Sequence, residues 1–167
     1  ITVNGENSYV FAIDKDAPNG TITIRETTWN KLLKVLTFGR YSKQKVRVRM
    51  SAEDVVSPCV IEYYKTSDAQ AKTAPELDTI YNAGSFQTYP DGGFEVGNEQ
   101  FVIYARVTDY AGNYRYISSD GFIVDMTGCG ITLIPSESNG FYSKGNAAYG
   151  LYNRKSKVEV QVHVQDQ

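Results

Sequence analysis

An all-β antiparallel sandwich is the fold class this sequence predicts, and three observations carry the prediction. Phe101, Ile103, Ala105 and Val107 alternate with Val102, Tyr104, Arg106 and Thr108, so one face of this segment is wholly apolar and the other mixed, the pattern of a half-buried strand. Lys45 to Asp54 alternates as cleanly, with Val46, Val48, Met50 and Ala52 against Arg47, Arg49, Ser51 and Glu53. Only one stretch, near residues 28–37, spaces its apolar residues as a helix does.

Composition agrees with a folded, water-exposed domain. A chain of 167 residues with 41% hydrophobic and 22% charged residues and a net charge of -2 is neither disordered nor membrane-embedded. That charge offers nucleic acid nothing, and no membrane insertion is expected. The 13 Tyr suit a pleated surface with one wet end. No signal peptide, lipidation motif or wall anchor is recognisable, and the chain reads as an excised piece.

In chain order, Tyr9 to Ile13 is an apolar strand followed by Asp14-Lys15-Asp16-Ala17-Pro18, where Pro18 ends any ladder and stiffens the joint. Thr21 to Arg25 alternates as a short strand. Trp29, Leu32, Leu33 and Leu36 then stand at i, i+3, i+4 and i+7, after Thr27 and Thr28 and before Gly39, which predicts a short helical insert that lays Trp29 and three Leu over the sandwich. After the Lys45–Asp54 strand, Val60 to Tyr64 is another. Between residues 66 and 100, Pro75, Pro90 and Asp91-Gly92-Gly93 separate weak edge strands around Ile80-Tyr81, Ser85 to Tyr89 and Phe94 to Val96. The strand through Val107 turns at Asp109-Tyr110-Ala111-Gly112-Asn113 and returns through Tyr114 to Val124, with a bulge at Ser119-Asp120-Gly121. The total is about seven strands.

Two passages repeat. Phe38-Gly39-Arg40-Tyr41 returns as Tyr149-Gly150-Leu151-Tyr152, 111 residues on, and the strand Lys45–Asp54 returns as Lys157–Asp166, 112 residues on. The expected organisation is therefore a last strand of one repeat at 1–13, a complete domain at 14–126 and the first strands of another repeat at 127–167. Two strands cannot bury a sandwich core alone, so the tail must dock, exchange with another molecule or be completed by further sequence.

The run Val107-Thr108-Asp109-Tyr110-Ala111-Gly112-Asn113, then Ser119-Asp120-Gly121 and Val124-Asp125, resembles the last two strands of the Ig-like repeats found in tandem in large bacterial surface proteins. The resemblance covers most of the chain. It implies an Ig-like sandwich, an extracellular place at the bacterial cell surface or wall, and service as a non-enzymatic spacer or stalk in adhesion, with neighbouring repeats of the same chain as partners. Two alternatives stand beside it: a module that binds host glycoprotein, immunoglobulin or polysaccharide through Tyr-rich loops, and an accessory domain of a large carbohydrate-active enzyme.

No catalytic constellation is visible. The single His, His163, falls on an outward strand position, and there is neither a phosphate loop nor a Cys/His cluster of zinc spacing. One inorganic ligand is arguable: an Ig-like topology brings Asp14, Asp16, Asp54 and Asp109 to one end, where hard oxygen ligands would hold Ca²⁺ and stiffen a joint between repeats. The competing assignment is that Asp109 caps its own turn and Asp54 hydrogen-bonds a loop. An equivalent pair at the next joint would be Asp125 and Asp166. No other cofactor is expected. Tyr110, Tyr114 and Tyr116 around the hairpin form the candidate binding surface, against the plainer assignment to half-exposed strand positions. Cys59 and Cys129 are expected at opposite ends of the fold and unpaired with one another.

Overall fold

The computed structural model describes residues 2–3, 7–8, 12–136, 140–144, 147–151, 155 and 157–165. Tyr9 to Phe11, Tyr152 and Asp166, all used in the sequence argument, lie outside them. The chain divides into two compact units, residues 1–126 and 127–167.

The first unit opens with β1 (Thr2–Val3) paired antiparallel to β2 (Asn7–Ser8). Its body is an all-β sandwich of two layers with one short helix. One layer runs β4-β3-β6-β9, with β3 at Asn19–Ile24, β4 at Thr27–Trp29, β6 at Val46–Glu53 and β9 at Phe94–Val96. The other runs β5-β12-β10-β7-β8, with β5 at Arg40–Ser42, β7 at Cys59–Thr66, β8 at Gln87–Thr88, β10 at Gln100–Asp109 and β12 at Phe122–Val124; β11, Tyr114–Ser118, pairs with β10 as well. All these pairings are antiparallel except β5 with β12.

The alternation seen in sequence becomes the core. Ile22, Ile24, Val46, Val48 and Met50 of one layer pack in one cluster with Phe101, Ile103, Ala105, Val107, Ile117 and Phe122 of the other. Burying each of the larger side chains contributes roughly 1.5–3 kcal/mol before ordering costs. The bulge falls at residues 119–121, where Ser119 N–H donates to the Ile103 carbonyl and Ser119 Oγ accepts from Ile103 N–H.

Three expectations need correction. The helix is not at 28–37. Thr27 to Trp29 is β4, paired with Ile22–Ile24, and the segment beyond is irregular because its backbone groups are taken up by the far strand. Ser118 N–H donates to the Lys31 carbonyl, Leu33 N–H to Ser118 Oγ and Thr37 N–H to Asp120 Oδ1. Trp29 packs on the main core, while Leu32 and Leu36 pack on the outer face of the second layer.

The helix is instead α1, Ala74–Asn82, which takes in the Ile80-Tyr81 pair that the sequence predicts as an edge strand. Pro75 sits in its first turn, where a missing N–H costs nothing, and the Glu76 carboxylate accepts from Thr73 N–H and Thr73 Oγ1, both at 2.7 Å. Gly84, at φ 74°, ends it, donating to the Tyr81 carbonyl. Nor is β10 half-buried: α1 and the Leu32–Phe38 arm cover its mixed face, so Val102 and Tyr104 are as inaccessible as Phe101 and Ile103. No helix among the described residues is long and apolar enough to cross a membrane.

In the second unit β13 (Gly130–Pro135) pairs antiparallel with β16 (Val160–Gln165), and β14 (Gly140–Lys144) with β15 (Ala147–Leu151). Ile131 opposes Val164, and Leu133 opposes Val162. All four side chains are exposed.

Gly121 tests the packing of the arm. A Cβ there would lie 2.4 Å from the Phe38 ring, whereas one at Gly128 would meet nothing within 4 Å. Gly121→Ala is expected to lower unfolding stability by about 1–3 kcal/mol, read as a lower urea midpoint at unchanged slope, while Gly128→Ala stays within about 0.5 kcal/mol of the parent.

Candidate functional site

One end of the first unit collects acidic side chains. Asp14 lies in the segment that enters β3, Asp54 follows β6, and Asp109 closes β10. Strand parity and the antiparallel turns bring these points together, and a carboxylate oxygen from each lies within 4.8 Å of the others.

Local hydrogen bonds fix each carboxylate. Asp54 Oδ1 accepts from the N–H groups of Val56 (2.8 Å) and Ser57 (3.0 Å), which holds its carboxyl below the usual range. Asp109 is buried, and Asn113 serves both its oxygens, the backbone N–H reaching Oδ1 at 2.8 Å and Nδ2 reaching Oδ2 at 2.9 Å. Both bonding roles named as the competing assignment are thus present, and the three groups still converge.

Asp14 differs. Its Oδ1 accepts from Asp16 N–H at 3.2 Å, but its Oδ2 is enclosed and has no hydrogen-bond partner. Partial desolvation, followed by the charges of Asp54 and Asp109, pushes its carboxyl above the ordinary range, against the pull of the Asp16 N–H. Asp16 is not in the cluster: the turn that points its N–H back at Asp14 leaves its side chain exposed. Of the second pair, Asp125 lies just beyond β12 in the first unit and Asp166 is outside the described residues.

Cys59 stands opposite Asp109 in the β7–β10 ladder, and burial, then the three neighbouring charges, raise its thiol. It is half-buried and Cys129 exposed; both are free thiols.

The three tyrosines separate. Tyr110, in the hairpin loop, is 74% exposed. Tyr114 is partly engaged: its hydroxyl donates to Asp78 Oδ1 of α1 at 3.1 Å, and its ring lies 4.0 Å from the Arg106 guanidinium carbon, with Tyr81 3.8 Å from that same carbon. Tyr116 is only 6% exposed and must be struck from the candidate surface. It shares the covered face with Tyr104, donates to Asp78 Oδ1 at 2.9 Å and packs on Phe86, because the helix expected elsewhere lies over it. His163 is on β16, exposed and opposite Thr132.

No family model, no curated protein and no solved structure matches the chain.

The unpaired Asp14 oxygen makes that carboxylate the strained member of the cluster. In metal-free solution Asp14→Asn is expected to raise the melting temperature at neutral pH, since an amide keeps the bond to Asp16 and removes a like charge. Asp14 binds its proton more tightly folded than unfolded, so its ionisation lowers stability as pH rises through the folded pKa. The advantage of Asn therefore shrinks as pH falls below the carboxylate range, and thermal melts across pH in chelator check both the sign and the trend.

Proposed function

We propose that the chain is a non-enzymatic segment of a secreted or wall-attached bacterial surface protein, built from tandem Ig-like repeats and serving as a spacer in adhesion. One observation supports this reading above the others. In the first unit Gly20 opposes Ala52, Ile22 opposes Met50 and Ile24 opposes Val48. In the second unit Ile131 opposes Val164, Leu133 opposes Val162 and Pro135 opposes Val160. The two ladders superimpose in register with offsets of 111 residues on the first strand and 112 on the second, the offsets of the sequence repeat. Strand order is a second support: β3-β6-β9 in one layer and β7-β10-β11/β12 in the other correspond to the A-B-E and C-F-G order of Ig-type sandwiches.

A spacer needs stiff joints. Asp14, Asp54 and Asp109 fit a hard cation: an oxygen from each carboxylate converges, and the Asp14 carboxylate also carries an enclosed oxygen, Oδ2, that no donor satisfies. These three would hold Ca²⁺, and the ion would supply the missing countercharge for Asp14. Millimolar Ca²⁺ is then expected to raise the melting temperature of the parent chain and to have little effect on Asp14→Asn; absence of a shift in the parent removes the metal from the proposal.

The second reading, a module that binds host glycoprotein, immunoglobulin or polysaccharide, keeps support from Tyr110, whose ring is free for contact, and loses it from Tyr116. The third, an accessory domain of a carbohydrate-active enzyme, draws support from no feature of the fold.

Antibodies raised against the chain are expected to label intact, unpermeabilised bacteria that carry it. Labelling that appears only after lysis overturns the surface assignment.

A further inference from the structure

A second feature of the first unit lies away from the carboxylates. The two-residue turn Arg25-Glu26 between β3 and β4 and the edge strand β5, with Ile24 and Phe122, line a cleft of about 600 Å³. That volume lies within the range of small-ligand sites, and the walls are largely polar.

The turn is strained. Arg25 has φ 55° while Glu26 is not among the positive-φ residues, the sign pattern of a type II′ turn, whose first central position ordinarily holds Gly. A non-Gly residue there costs conformational energy, and such outliers gather at ligand sites. Neither a hydrogen bond nor an ion pair engages the Arg25 side chain among the described residues.

Arg40, a cleft residue from β5, is preorganised. Its Nη1 donates to Thr27 Oγ1 at 2.9 Å, and its guanidinium carbon lies 5.6 Å from the Trp29 ring centroid. Its other N–H groups have no partner among the described residues. Asp120 lies near enough to feel the Arg40 charge, but Thr37 N–H, Thr37 Oγ1 and Gly121 N–H already serve that carboxylate. Glu26 is the acidic residue on the cleft wall. Tyr41 also lines it, 67% exposed.

We propose that this cleft binds a carboxylated saccharide unit of the uronic-acid type, with Arg25 and Arg40 holding the carboxylate and the Tyr41 ring lying against the sugar. A guanidinium fork matches a carboxylate in shape as well as charge, and an exposed tyrosine gives a pyranose a flat apolar surface. The proposal rests on the binding-module reading and supplies its site and ligand class.

Titration of the full chain with D-glucuronate, followed by amide chemical shifts, tests it, with D-glucose and acetate as controls. The expected result is a saturable shift at Arg25, Glu26 and Tyr41 with glucuronate, weaker with acetate and absent with glucose. Arg25→Gly is expected to raise the melting temperature, because Gly relaxes the turn, and to weaken glucuronate binding about tenfold or more; Arg40→Lys, which keeps charge but loses the fork, is expected to weaken it as well. No saturable shift, equal response to glucose, or unchanged affinity in Arg25→Gly overturns the site. Shifts confined to Tyr110 and Tyr114 overturn it too, yet leave the binding-module reading standing.

Discussion

Burial of β10 on both faces is the constraint on which the first unit depends. Phe101, Ile103, Ala105 and Val107 enter the core between the layers, while Val102 and Tyr104 lie beneath α1 and the Leu32–Phe38 arm. Its neighbours are placed by contact with this strand: β7 along one edge, β11 and β12 along the other, the β4-β3-β6-β9 layer across the core and the helix on the outer face. A strand covered on both sides tolerates no slip, since a shift of one residue would exchange the two faces. Its end is therefore a fixed point, and Asp109 closes it with both carboxylate oxygens tied to Asn113.

That rigidity extends to the acidic end and to the cleft. Asp54 and Asp109 are set by their own turns, and the incoming chain then brings Asp14 against them at an electrostatic cost that local hydrogen bonding only partly relieves. At the layer edge Arg25 occupies a backbone conformation better suited to Gly. At the acidic end the unfavourable energy is electrostatic, which a cation would relieve; at Arg25 it lies in the backbone, which Gly would relax.

Legibility of the sequence followed the type of signal. The strands of residues 46–53 and 100–109 were plain because alternation is a local property. Convergence of Asp14, Asp54 and Asp109 was expected only through the Ig-like topology that the resemblance implies, and the exclusion of Asp16 depended on a turn geometry that spacing does not encode. The helix was misplaced for a physical reason. Trp29, Leu32, Leu33 and Leu36 have helical spacing, yet their backbone groups found partners around Ser118 and Asp120. At Thr73 the capping pair Thr73 and Glu76 with Pro75 between them was a usable start signal, but Pro75 read as a breaker. Tyr116 follows from the same point, since α1 lies over the face that carries it and removes it from solvent.

By itself the sequence determined the class of fold and the principal strands with their inward faces. These rest on periodicities of two residues and on turn chemistry, which act over short stretches of chain. Only the tertiary structure decided which tyrosines reach solvent, that Asp16 stays out of the acidic cluster, and that Arg25 and Arg40 line one cleft. Those outcomes depend on which distant segment supplies a hydrogen bond or covers a face, and no local pattern carries that information.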